Sequence, residues 1–165
     1  MQDRFKFRAV LHQNKYEEYQ LEKFSHQRVF DAMSINLGIE YSTIEIIAEY
    51  PNGDWAVREI DDKDVDLIQS TGLKDKNGKL IYEGDIVNVY VSSEKLYRYQ
   101  VKFEIGSFML VSNDEIFDFP NKWNDNVYPL SQLYFEYENE DYCVEQLEVI
   151  GNVYENPELL GVKNE

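Results

Sequence analysis

Thr43-Ile44-Glu45-Ile46-Ile47-Ala48-Glu49-Tyr50-Pro51-Asn52-Gly53-Asp54-Trp55-Ala56-Val57-Arg58-Glu59-Ile60 decides the fold class. Its first seven residues alternate β-branched with polar side chains, the period of a half-buried strand. Asn52-Gly53 then supplies the positive φ angles of a tight turn, and Trp55 to Ile60 run back. A polar loop, Asp61-Asp62-Lys63-Asp64, follows. The stretch is an antiparallel hairpin, and the rest of the chain extends the same grammar.

Downstream, Asn77-Gly78 centres a second hairpin between Gly72-Leu73 and Leu80-Ile81-Tyr82. Glu83-Gly84-Asp85 launches a strand at Ile86–Val91, and Asp85 is placed to accept hydrogen bonds from turn amides. Leu96–Phe103 and Ser107–Val111 make two more strands, with Ile105-Gly106 bending the chain between them. Residues 112–130, with Pro120, Pro129 and several Asn, predict a long loop. Leu147 to Tyr154 read as a strand whose Gly151 marks a bulge or a close backbone approach. Asn156-Pro157-Glu158 then opens one helical turn, with Asn at the cap and Pro in the first turn.

Upstream, Arg4-Phe5-Lys6-Phe7-Arg8-Ala9-Val10 alternates basic and apolar residues. Its cationic face calls for an anionic neighbour, since opposite charges across strands stabilise each pair by about 0.2–1 kcal/mol. Glu136, Glu138 and Glu140 alternate in Phe135–Glu140, which predicts a strand lying near residues 4–10. Residues 14–42 fit either a helix, with Tyr16, Tyr19 and Lys23 on one face, or a strand, in which Tyr19 and Leu21 alternate; strand is the expectation. The expected fold is mainly β. Residues 61–165 form a small SH3-like barrel or roll, and an additional N-terminal β-rich segment, residues 1–60, packs on it.

Composition agrees. Aromatics make up 15% of the 165 residues, led by 13 Tyr and 9 Phe, rings that suit pleated surfaces. The net charge is −16, and residues 111–165 hold 13 acidic against 2 basic side chains. Phosphate backbones repel such a chain, so direct nucleic-acid binding is not expected. Most of this charge reads as a solvated face that keeps the protein soluble. With one cysteine, Cys143, no intrachain disulfide forms. The charged N-terminus has no apolar leader pattern and no apolar run is long enough for a membrane span, so the cytoplasm is the expected compartment.

Candidate chemistry is sparse. Asp62-Lys63-Asp64-Val65-Asp66 imitates the opening of a calcium loop, but Leu67 stands where the turn glycine belongs and Leu73 where the bidentate glutamate belongs. No metal site is expected. His12 and His26 share no ligand spacing, and acidic neighbours around Cys143 discourage its thiolate. No phosphate-binding glycine loop or nucleophile elbow occurs, so neither catalytic residues nor a cofactor is expected. Trp55 and the tyrosines divide between core and binding surface. Phe117, Phe119, Trp123, Tyr128, Tyr134 and Tyr137, crowded among prolines and acids, form the candidate interaction surface.

Two stretches resemble a known family. Thr71-Gly72-Leu73-Lys74-Asp75-Lys76-Asn77-Gly78-Lys79 with Ile81-Tyr82-Glu83-Gly84-Asp85-Ile86-Val87 is similar to the hallmark of the YopX family, small proteins encoded by bacteriophages and prophages. Glu148-Val149-Ile150-Gly151-Asn152-Val153-Tyr154-Glu155-Asn156-Pro157-Glu158-Leu159-Leu160 resembles that family's C-terminal pattern, and Lys6-Phe7-Arg8-Ala9 its start. The resemblance implies an SH3-like barrel and a bacterial host, and it brings no catalytic residues. The expectation is therefore a non-enzymatic phage or prophage accessory protein acting through a protein partner or self-association. An acidic mimic of nucleic acid that blocks a host DNA- or RNA-binding protein is the alternative, and an enzyme of unrecognised class the third.

Overall fold

The computed structural model describes residues 6–21, 28–39, 41–92, 95–112, 127–136 and 142–161. They divide into two compact units, residues 6–69 and those from Ser70 onward.

In the N-terminal unit, β1 (Phe7–Leu11), β2 (Val29–Asn36), β3 (Thr43–Glu49), β4 (Trp55–Asp61) and the first half of β5 (Val65–Asp75) form an antiparallel sheet. Its order is β5-β1-β2-β3-β4. The quoted stretch is the β3–β4 hairpin, in register from Thr43↔Asp61 to Glu49↔Trp55. Alternation works as expected: Ile44, Ile46 and Ala48 are buried beside Ala9, Leu11, Leu21, Phe30 and Ile60. Tyr50 donates its amide to the Asp54 carbonyl at 2.7 Å, and Gly53 takes φ +86°.

The ambiguous segment 14–42 splits. Gln13–Lys15 is a 3-10 turn and residues 16–20, Tyr19 included, are turn and not strand, whereas Val29–Asn36 is the strand expected. Tyr19 and Lys15 fix the turn by reaching Asp64: the Tyr19 hydroxyl donates at 2.7 Å, and Lys15 Nζ lies at 3.2 Å. Asp64 is therefore turned inward toward this pair, while Asp66 sits 3.5 Å from His12. The acids of the would-be calcium loop thus point to different partners. Arg8, expected to face the 136–140 glutamates, takes Asp31 across the β1–β2 ladder at 3.0 Å.

In the C-terminal unit the second half of β5 pairs antiparallel with β6 (Leu80–Tyr82) and parallel with β11 (Cys143–Val144). A second sheet runs β10-β9-β8-β7-β12, from β7 (Asp85–Ser92), β8 (Lys95–Glu104), β9 (Ser107–Val111), β10 (Val127–Pro129) and β12 (Leu147–Asn152). Ile81, Val87, Val89, Tyr99, Val101, Leu110, Leu147 and their neighbours form its core. The mainly-β expectation holds. Among the described residues the strands lie in two sheets and no ladder joins β10 to β12, so no closed barrel is seen. The chain leaves β12 after Asn152, past a bulge between Val149 and Gly151, for the 3-10 turn Pro157–Leu160 instead of pairing again.

Asp75 anchors this unit. Its carboxylate is fully buried, accepting from the amides of Asn77 and Lys79 at 2.9 Å each and from Val149 at 3.0 Å. Gly78 takes φ +79° in the same turn, and Asp85 accepts from the Tyr82 amide at 2.9 Å, as expected. Cys143, half-buried, donates its thiol to the Asp75 carbonyl at 3.0 Å. Asn156 stands at the start of the last turn, but its side chain reaches back to the Asn152 amide instead of capping.

One helix is present among the described residues, α1 (Leu130–Glu136). It corrects the strand expected around Phe135 and Glu136. Leu130 and Leu133, three apart, are buried on one face, and Glu136 accepts from Gln132 one turn away at 2.7 Å and from the Tyr128 hydroxyl. Period three to four overrides the alternation of glutamates.

Candidate interaction surfaces

Of the six aromatic residues expected to form a surface, Tyr128 and Tyr134 are among the described residues. Phe117, Phe119, Trp123 and Tyr137 lie outside the described residues. Tyr128 is buried in the core, on β10, so it is a structural residue and not a contact residue. Tyr134 is half-buried at the end of α1 and packs partly against the core. Its ring stacks on Tyr142 at 6.4 Å, nearly parallel at 11°, and meets Phe135 edge-on at 5.3 Å. Phe135 is 74% exposed and Tyr142 is 52% exposed.

Helix α1 sets the positions of Tyr134 and Phe135: with Leu130 and Leu133 inward, the next residues emerge at the rim. Tyr142 is fixed by its backbone. It takes φ +58°, a left-handed conformation that a bulky side chain rarely adopts, while its carbonyl accepts from the Lys74 amide at 2.7 Å. The ladder of β5 and β11 holds it there. Strain at an exposed aromatic, maintained by surrounding hydrogen bonds, is the kind of feature that accompanies a working surface.

The N-terminal unit holds a second apolar surface, which sequence reading missed. Met33, Ile35, Leu37, Ile39 and Tyr41 are all exposed along β2 and the loop that joins it to β3. A signal was present: apolar residues at every second position from Met33 to Tyr41 announce a strand face, though not that the face stays uncovered. Trp55 is likewise exposed, at the start of β4.

Polar clusters on both units are already internally matched. Lys76 Nζ lies 2.8 Å from Glu148 and 4.1 Å above the Tyr90 ring, and the Tyr90 hydroxyl donates to Glu148 at 2.6 Å. Lys76 therefore holds the Glu148 carboxyl below its ordinary range, with help from Tyr90, and Glu148 raises the Lys76 ammonium in return. In the other unit Glu18, then Asp64, pushes Lys15 up to about 12. Burial works to raise Asp64, but the hydrogen bonds from Tyr19 and Lys15 outweigh it and bring the carboxyl below its usual value. Burial first of all pushes the Tyr19 phenol up. A cleft of about 380 Å³ lies among Asn88, Leu96, Tyr97, Arg98 and Leu159, and the Arg98 guanidinium there donates to the Leu159 carbonyl at 2.6 Å. Among the described residues no helix is long and apolar enough to cross a membrane.

Comparison with known proteins follows the same lines. The family described as YopX protein matches residues 6–161. The crystal structure of protein yopX from Bacillus subtilis is similar, with a TM-score of 0.52 at 18% identity over 95% of this chain and 98% of that one. At that identity the likeness speaks to the fold. A protein from Enterococcus faecalis is similar at 25% identity, with a TM-score of 0.47 over 94% of this chain and 96% of that one. No curated protein matches the chain.

Proposed function

This chain belongs to the YopX family, and from that premise we propose that it is a non-enzymatic accessory protein of a bacteriophage or prophage, working in the host cytoplasm through protein–protein contacts. The observation that carries this reading is the aromatic group of Tyr134, Phe135 and Tyr142. Tyrosine and phenylalanine with few rotatable bonds lose little entropy on contact, and aromatic residues are enriched where proteins meet. Acids beside such a surface would favour a partner with basic groups around an apolar pocket.

The test is affinity capture from host lysate with wild-type protein and a Phe135→Ser, Tyr142→Ser variant, both checked for an unchanged melting profile. A defined host protein held by the wild type and lost by the variant supports the proposal. The same captured set for both proteins, or turnover in a broad substrate screen, overturns it.

A further inference from the structure

The β2–β3 hairpin of the N-terminal unit is apolar where it is most exposed. Met33 is 56% exposed, Ile35 37%, Leu37 84%, Ile39 106% and Tyr41 71%. From Ala32 to Ile44 the chain carries one charged residue, Glu40, although charged residues are 29% of the whole. The loop is a built structure: Gly38 passes so close to the Tyr41 carbonyl that a Cβ there would lie 2.0 Å from its oxygen. A shallow recess of about 520 Å³ opens among Asn36, Leu37, Gly38, Ile39, Tyr41 and Thr43.

We infer that this hairpin is the contact through which two copies of the chain associate about a two-fold axis. Protruding side chains and recess lie on the same element, so one symmetric contact can seat the Leu37 and Ile39 of each copy in the recess of the other. Area allows it. With a free apolar side chain at roughly 150 Å², these exposures offer about 500 Å² per copy and about 1,000 Å² per pair, where specific association begins. Charge favours it too. In a chain of net charge −16, a stretch with one acid lets two copies meet with little repulsion.

An interface of this size lies at the small end, where association is weak. Its salt response has a defined sign. Added salt screens repulsion between two acidic bodies and leaves apolar contact intact, so self-association strengthens. A basic partner on the same hairpin would be held less firmly under the same change. The contact shares no residue with the Phe135 surface, so the Phe135→Ser, Tyr142→Ser variant is expected to dimerise like the wild type.

Sedimentation velocity over a concentration series, at low and high salt, tests the inference. The expected result is a monomer–dimer equilibrium that high salt shifts toward dimer. Ile39→Glu should weaken it by about tenfold or more, an effect of about 1.4 kcal/mol. Leu37→Ser with Ile39→Ser, which adds no charge, should weaken it too, with circular dichroism unchanged in each variant. In a Cys143→Ser background, Ile39→Cys should cross-link copies on oxidation. A monomer at every concentration, a dimer indifferent to all these changes, or one that salt dissociates would overturn the inference.

Discussion

The Asn52-Gly53 turn of the N-terminal unit and the Asn77-Gly78 turn of the C-terminal unit are built from the same dipeptide, with nearly equal glycine angles of +86° and +79°. Their support differs. The first is braced at the surface, where Asn52 accepts from the Asp54 amide at 3.1 Å and donates to its carboxylate at 2.8 Å. The second is gripped from inside by Asp75, which also holds the Val149 amide on β12. A dipeptide sets the sign of φ, whereas the side chain beside it decides whether the turn is local or tied to the core.

The strongest way to break this comparison is Asp75→Ala. The amides of Asn77, Lys79 and the buried Val149 lose their acceptor, for a loss of about 3 kcal/mol and a fall in melting temperature on the order of 10 °C. If chemical and thermal denaturation show less than a third of that, Asp75 is not the anchor described. Gly78→Ala and Gly53→Ala should each destabilise by about 1 kcal/mol, because both ask alanine for a left-handed backbone. A large gap between the two in urea titrations would mean that backbone conformation and side-chain support are not separable. Asn52→Ala should be milder, about 0.5 kcal/mol, since water replaces the lost partner at an exposed turn.

The smallest effect is an acid one. The folded Asp64 carboxyl is lowered, so its contribution is present above the ordinary carboxylate range and disappears as pH falls through that range to the folded value. Lys15 works at the other end, its contribution being lost only as pH rises through about 12. Asp64→Asn should therefore flatten the decline of melting temperature on acidification. A variant with the wild-type slope would assign the acid response elsewhere.

Hairpins were legible because their information is local: alternation at Ile44, Ile46 and Ala48, and Asn-Gly at both turns. Asp85 was legible as a turn acceptor for the same reason. Asp75 was not singled out, since its third partner, Val149, is far along the chain. Helix α1 was hidden because seven residues give too few periods to compete with an alternating run of glutamates. Closure of the sheet was not legible, because strand number and turn spacing do not specify which edges meet. Tyr128 and Tyr134 have the same side chain, and only position relative to β10 and α1 separates a buried ring from a half-buried one. The β2–β3 hairpin shows the same limit: period two reports a face, and tertiary neighbours determine whether it is covered.

Cys143, lone and half-buried at the β11–β5 ladder, gives the molecule a built-in reporter. Since no second thiol competes, the rate at which it alkylates, compared with a free thiol, reports how firmly that short parallel ladder and the bond to the Asp75 carbonyl shield it. Slow labelling that quickens in step with global denaturant would mark the ladder as part of the cooperative fold. Fast labelling in native buffer would make it a fraying edge, with the Tyr142 ring moving on the same clock.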